Sequence, residues 1–173
     1  GGAAYDISFI LPATALAMWS GYNTGVITCI THTNGYWVVC GYTEALSSGT
    51  DYARIAWATE LDGTWSSKDL WGHSGSSDYT NRYPHANYVN YINGYWVVGG
   101  GRTNTNEKYD YARIAWSTSL GGTWTTKDIA STSDSTSNAY TEVKAIAYGD
   151  GYWVAVINQG GSYEYCKIAY STS

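Results

Sequence analysis

Short runs rich in Val, Ile, Trp and Tyr follow one another along the chain, and Gly, Asn, Asp and Ser repeatedly break them. This pattern predicts many short β-strands and an all-β fold. Whole phrases also recur. "NGYWVV" stands at 34–39 and again at 93–98, with "DGYWVA" at 150–155. "DYARIAW" at 51–57 returns at 110–116, and "EYCKIAY" at 164–170 is its third form. "GTWSSKDL" (63–70) matches "GTWTTKDI" (122–129). From Asn34 to Asn93 is 59 residues and from Asn93 to Asp150 is 57, so a unit of about 58 residues is written three times. A fixed period of this size marks a repeat architecture, and missing it would misassign the fold.

Each unit reads as four strands. The first is "VITCITHT", "ANYVNYI" or "VKAIAYG"; an Asn-Gly or Asp-Gly turn follows, because both residue types tolerate positive φ. The second is "YWVVCGY", "YWVVGGG" or "YWVAVIN", the third is the "YARIAW" phrase, and the fourth is "TWSSKDL" or "TWTTKDI". If Asn34-Gly35 is a two-residue turn, Thr33 opposes Tyr36 and counting outward sets Cys29 opposite Cys40. A cross-strand disulfide is then possible, although the equivalent pairs Tyr88/Gly99 and Ala145/Val156 need none. A four-residue turn between the third and fourth strands sets Arg54 opposite Asp69 and Arg113 opposite Asp128, a favourable cross-strand arrangement.

The third unit stops at "IAYSTS" without a fourth strand, while residues 1–9, "GGAAYDISF", read like the missing piece. An outer strand left open invites aggregation. The expectation is that residues 3–9 close the last unit with Asp6 opposite Lys167, within one chain or between chains, and that both chain ends are paired. The units then run 26–70, 86–129 and 143–173 in one repeat domain.

Composition narrows the partners. Lys and Arg number 9 against 14 Asp and Glu, a formal charge of −5, which lacks the basic stripe a nucleic-acid binder needs. No apolar run reaches the roughly 18 residues of a membrane-spanning helix. The three cysteines are too few and too scattered for a disulfide scaffold or a zinc site, and His32, His73 and His85 lack zinc-ligand spacing. Cys166 falls where the other units have Ala53 and Ala112, which predicts a small buried residue. The repeated tryptophans (Trp37, Trp96, Trp153, Trp57, Trp116, Trp65 and Trp124) are expected to pack between sheets, since packing, not ligand binding, demands them in every unit. No metal or other cofactor is expected. "DSTSN" at 134–138 offers oxygen ligands for calcium but reads more simply as a Ser/Thr loop.

"STSLGGTW" (117–124) resembles the Asp-box, Ser-x-Asp-x-Gly-x-Thr-Trp, of sialidase-like β-propeller blades. With the "GYWVV" and "IAxST" phrases, it is similar to repeats of bacterial surface proteins and phage tail proteins. The box is degenerate, holding Glu60, Ser119 and Ser173 at its Asp position and Asp62 where Gly belongs. The resemblance implies three propeller blades. Closed propellers have about four to eight blades, so three blades are read as half of a six-bladed ring made by two chains, with part of a longer propeller, or a β-trefoil or β-prism, as the alternatives. It is a turn signature found in enzymes and non-enzymes, so it bears on fold far more than on activity.

In such a blade the loops at one end are tight and repeated, and those at the other differ in every copy. Binding residues concentrate on variable loops held by a rigid scaffold. The richest segment holds Trp71, His73, Asp78, Tyr79, Arg82, Tyr83 and His85; Arg102, Glu107 and Tyr109 form a second patch, to which Tyr42, Glu44 and Tyr140 could add. Aromatic plates among polar groups suit a sugar ring. A sialidase needs an arginine cluster, but the chain has only Arg54, Arg82, Arg102 and Arg113, two of them in the repeated phrase. Paired carboxylates for glycoside hydrolysis do not stand out. The expectation is a non-enzymatic glycan- or receptor-binding module, homo-oligomeric, outside the cell, on its surface or on a virion. The alternatives are a subunit that self-assembles by strand exchange and, least favoured, a glycoside hydrolase.

Overall fold

The computed structural model describes residue 19 and residues 24–44, 50–74, 84–104, 109–133, 140–160 and 165–172. Eleven strands form three antiparallel sheets, each in simple up-and-down order. The first blade comprises β1 (Thr24–Thr33), β2 (Tyr36–Glu44), β3 (Thr50–Ala58) and β4 (Ser66–Ser74). The second comprises β5 (His85–Ile92), β6 (Tyr95–Asn104), β7 (Tyr109–Ser117) and β8 (Thr125–Ser133). The third comprises β9 (Tyr140–Gly149), β10 (Tyr152–Gly160) and β11 (Tyr165–Ser171). These are blades of propeller type: each unit folds into its own up-and-down sheet, and successive sheets pack face to face. Residues 1–9, expected to close the third blade, lie outside the described residues, as does the 134–138 loop.

Local chemistry explains the hairpins. Asn34, Asn93 and Asp150 have φ of 49°, 49° and 50°, and Gly35, Gly94 and Gly151 follow at 78°, 84° and 82°. Both turn positions are therefore left-handed, as a type I′ hairpin requires. The register set by the turn pairs Thr33 with Tyr36 and Cys29 with Cys40. Both thiols are free; a hydrogen bond with Cys40 lowers Cys29 to about 6, while burial pushes Cys40 well up. The β3–β4 and β7–β8 ladders place Arg54 opposite Asp69 and Arg113 opposite Asp128, with ion pairs of 2.6 and 2.7 Å. The turns that join these ladders close alike: Gly63 and Gly122 donate to the Glu60 and Ser119 carbonyls, and the Trp65 and Trp124 indoles to the Leu61 and Leu120 carbonyls.

Two apolar layers bind the sheets, and a third lies on the outward face of the first blade. Val38, Cys40 and Ile55 of the first blade meet Val89, Trp96 and Val98 of the second. On its other face, the second blade presents Val97, Ala112 and Ile114 to Val143, Ile146 and Ile157 of the third. The outward face of the first blade carries Trp19 against Val39, Ala56 and Trp65. Alternation along each strand sends successive residues to opposite faces, so each blade is apolar on both. The tryptophans of the repeat are buried or half-buried, as packing between sheets requires. Cys166 departs from expectation: it is exposed, because no described residue covers the third blade where the next blade covers Ala53 and Ala112.

Replacing Gly94 by Val is expected to cost about 1–2 kcal/mol, since a β-branched residue must take a left-handed conformation there. Gly149 has no positive φ and open space around it, so Gly149→Val should leave the denaturant midpoint close to wild type. Urea titration of both variants checks the contrast.

Candidate functional site at the inner ends of the second and third blades

The first strands of the blades lie side by side, β1 against β5 and β5 against β9. Each carries a β-bulge at the same position: the ladders skip Thr28 in β1, Asn87 in β5 and Lys144 in β9. A bulge adds one residue to a strand and re-aims its side chain. Here it gathers polar groups from two blades. Glu142 Oε2 lies 2.7 Å from His85 Nε2 and 2.5 Å from Asn87 Nδ2, and its Oε1 lies 2.5 Å from Lys144 Nζ. The Glu142 side chain is only 13% exposed. Between the first and second blades the equivalent contact is simpler, with the Thr28 hydroxyl donating to the Ala86 carbonyl.

The repeat makes these positions equivalent. Val26, His85 and Glu142 occupy one place in the three units, and Thr28, Asn87 and Lys144 occupy the place two residues on. Scaffold positions repeat their chemistry; these two do not. The adjoining strand is adapted to the cluster. A side chain at Gly100 would collide with the His85 carbonyl, and one at Gly101 would sit 2.8 Å from the Thr141 carbonyl and 3.0 Å from the His85 ring. Glycine is therefore required where β5 and β9 close on β6. Trp71 is buried, and its indole donates to the Gly101 carbonyl at 3.0 Å. The Tyr42 ring meets the His85 ring edge-on at 6.5 Å. Deeper in the interface, the register partners Thr141 and Gln159 are buried, and Thr141 Oγ1 and Gln159 Oε1 have no hydrogen-bond partner among the described residues. Such groups are normally satisfied by a water or a ligand.

Burial alone would raise the Glu142 carboxyl, but hydrogen bonds from His85, Lys144 and Asn87 and the charge of His85 outweigh it and hold it down at about 2. Glu142 is thus fixed as a carboxylate. It suits the tasks of an anion: accepting hydroxyl hydrogen bonds, activating water, or stabilising positive charge. It does not suit those of a general acid, which needs a raised pKa.

Strands run further into the variable end than the sequence suggests, because their last residues still find register partners. His73 pairs with Asp51, Arg102 with Tyr111, and Tyr109 with both Asn104 and Ser133, so all three lie on strand ends and not in loops. Trp71 is a buried support for Gly101, not an open plate. The Arg102 guanidinium grips Asp128, with Nη2 at 2.7 Å from Oδ2, and stacks over the Tyr111 ring at 4.3 Å. Burial opposes ionisation of Asp128, but Arg113 and Arg102 hold its carboxyl below the usual range. Of the described residues singled out from the sequence, His85 lies in the cluster, with Tyr42 beside it. Asp78, Tyr79, Arg82, Tyr83 and Glu107 lie outside the described residues. Sequence reading missed Asn87, Glu142 and Lys144. The signal that could have found them is the alternating polar pair in each inner strand, His85-x-Asn87 and Glu142-x-Lys144, where the first unit has Val26-x-Thr28.

No protein-family model matches the chain, and no curated protein does. Among solved structures it is similar to arabinanase Arb43A of Bacillus subtilis, at 14% identity and a TM-score of 0.42, over 90% of this chain and 75% of that one. It is also similar to the GH43 endo-arabinanase of Bacillus licheniformis, at 16% identity and a TM-score of 0.41, over 83% of this chain and 70% of that one. Both are five-bladed β-propellers, in keeping with the blades described above but not with Asp-box repeats in particular. Both are also enzymes, and this corrects the expectation of a non-enzymatic glycan- or receptor-binding module or structural subunit. A likeness this loose transfers neither a substrate nor a catalytic residue.

The lowered Glu142 pKa has a definite sign. Its folded value lies below the ordinary 4.5, so the stabilisation is present above about pH 4.5 and is lost as pH falls towards 2. Glu142→Gln should therefore melt below wild type at pH 7, and the gap should close as pH falls through that window. Thermal melts followed by tryptophan fluorescence test this; a gap independent of pH would contradict it.

Proposed function

We propose that this chain supplies blades of a carbohydrate-active β-propeller and that the inner-strand cluster between the second and third blades is where it holds a sugar. The observation that carries this reading is the buried carboxylate of Glu142, kept ionised by donors from two blades at the end of the scaffold where the loops vary. Sugar hydroxyls both donate and accept. Glu142 can accept from one, and His85, Asn87 and Lys144 can donate to others, while Tyr42 provides an apolar flank. Thr141 Oγ1 and Gln159 Oε1 add two buried polar atoms without hydrogen-bond partners among the described residues.

Within a glycoside hydrolase mechanism, two carboxyl groups flank the scissile bond and one must arrive protonated. Glu142 fits only the ionised role, as base or charge stabiliser, so the protonated partner would come from one of the variable loops. The turns at 60–65 and 119–124, closed by indole-to-carbonyl hydrogen bonds, are read as degenerate Asp-boxes that set the blade geometry and take no part in the chemistry.

The test is a panel of arabinan, xylan and sialylated oligosaccharides, scored for binding by calorimetry and for cleavage by release of reducing ends. At least one is expected to bind. Glu142→Gln should weaken that binding about ten- to a hundredfold, the range for losing a hydrogen bond to a charged group, and should abolish any cleavage. Unaltered binding in both Glu142→Gln and His85→Ala, or no binding across the panel, would overturn the reading.

A further inference from the structure

Among the described residues, the third blade has an apolar face and an edge strand that are not covered and paired as in its two sister blades. Val156, Ile168 and Tyr170 are 41%, 70% and 76% exposed. Their counterparts by repeat position are Cys40 and Gly99, Ile55 and Ile114, and Trp57 and Trp116, all buried or half-buried under the next blade. The edge differs in the same way. β3 and β7 each pair on both sides, whereas β11 pairs only with β10 among the described residues. Lys167 on β11 stands where Arg54 and Arg113 meet the aspartates of β4 and β8. A long apolar edge of this kind is normally covered, paired or charged.

The chain contains a segment that fits the edge. Asp6-Ile7-Ser8 corresponds to Asp69-Leu70-Trp71 of β4 and Asp128-Ile129-Ala130 of β8. In both complete blades the aspartate faces the arginine, the next residue bulges, and the third residue faces Ala53 or Ala112. Carried to the third blade, this register sets Asp6 opposite Lys167 and Ser8 opposite Cys166. Placement then decides which copy supplies the segment. Trp19 is seated on the outward face of the first blade, and all three blades and the two apolar layers between them separate it from the open face of the third. In a ring, that outward face is the one that meets the preceding blade.

We infer that the third blade is completed by a second copy of this chain, whose residues 3–9 pair with β11 and whose first blade covers Val156, Ile168 and Tyr170. Two copies related by a two-fold axis make two identical junctions of this kind. The interface continues the two blade-to-blade interfaces already present in each chain. It does not depend on what the inner-strand cluster binds.

Cys166 makes the register testable. Directly opposed residues on paired strands have Cβ atoms about 4.5–5.5 Å apart, close enough for a disulfide after small adjustment. Mild oxidation of Ser8→Cys should give a covalent two-chain species on a non-reducing gel, and adding Cys166→Ser should abolish it. A disulfide closed within one chain, or none, overturns the proposal. Charge reversal gives a second measurement. Asp6→Lys and Lys167→Asp each put like charges across both junctions and should raise the dissociation midpoint about tenfold in sedimentation, from lost attraction plus new repulsion. Mixed in equal amounts, the two variants regenerate a Lys–Asp pair at both junctions and should restore the wild-type midpoint. Mixing that restores nothing contradicts completion between copies.

Discussion

A sheet that is apolar on both faces has to be covered on both faces, and this constraint shapes the whole molecule. The second blade meets it fully, with Val98 turned to one neighbour and Val97 and Ile114 to the other. The burial of these side chains, worth on the order of 25 cal/mol per Å² of apolar surface, couples each blade to the next. On this ground Ile168 and Tyr170 stand out as apolar surface that no described residue covers.

The same packing builds the site. Stacking the blades brings their first strands together, so residues 57 positions apart, His85 and Glu142, become partners. The bulges at Asn87 and Lys144 turn further donors towards the carboxylate, and the glycines at 100 and 101 let the strands close around them. Glu142 is held ionised because three donors offset the cost of burying it. The site is thus a by-product of blade stacking, specialised at two positions where the copies differ.

Much of the fold was legible in the sequence because its determinants are local or repeated. Asn-Gly dictates the hairpin, the hairpin dictates that Cys29 faces Cys40, and the Arg-Asp pairs follow from turn length. The site was less legible for a physical reason. Glu142 follows a stretch rich in Ser and Thr, and nothing nearby in sequence partners it except Lys144; Asn87 and His85 reach it only through contact between blades. Arg102 misled in the opposite direction, since its neighbours in sequence suggested an open loop, whereas pairing with Tyr111 carries it onto a strand beside Asp128. Cys166 looked buried by analogy with Ala53 and Ala112, and the analogy failed because burial there belongs to the next blade and not to the residue.

The proposed assembly requires that β11 and the face it belongs to are covered. Amide hydrogen exchange across residues 165–171, compared with β7 and followed over a dilution series, tests it most directly. β11 should be protected about as well as β7 at high concentration and lose that protection on dilution, while β7 keeps its own. Fast exchange in β11 at every concentration, with β10 still protected, would show an open edge and rule out completion by a second copy.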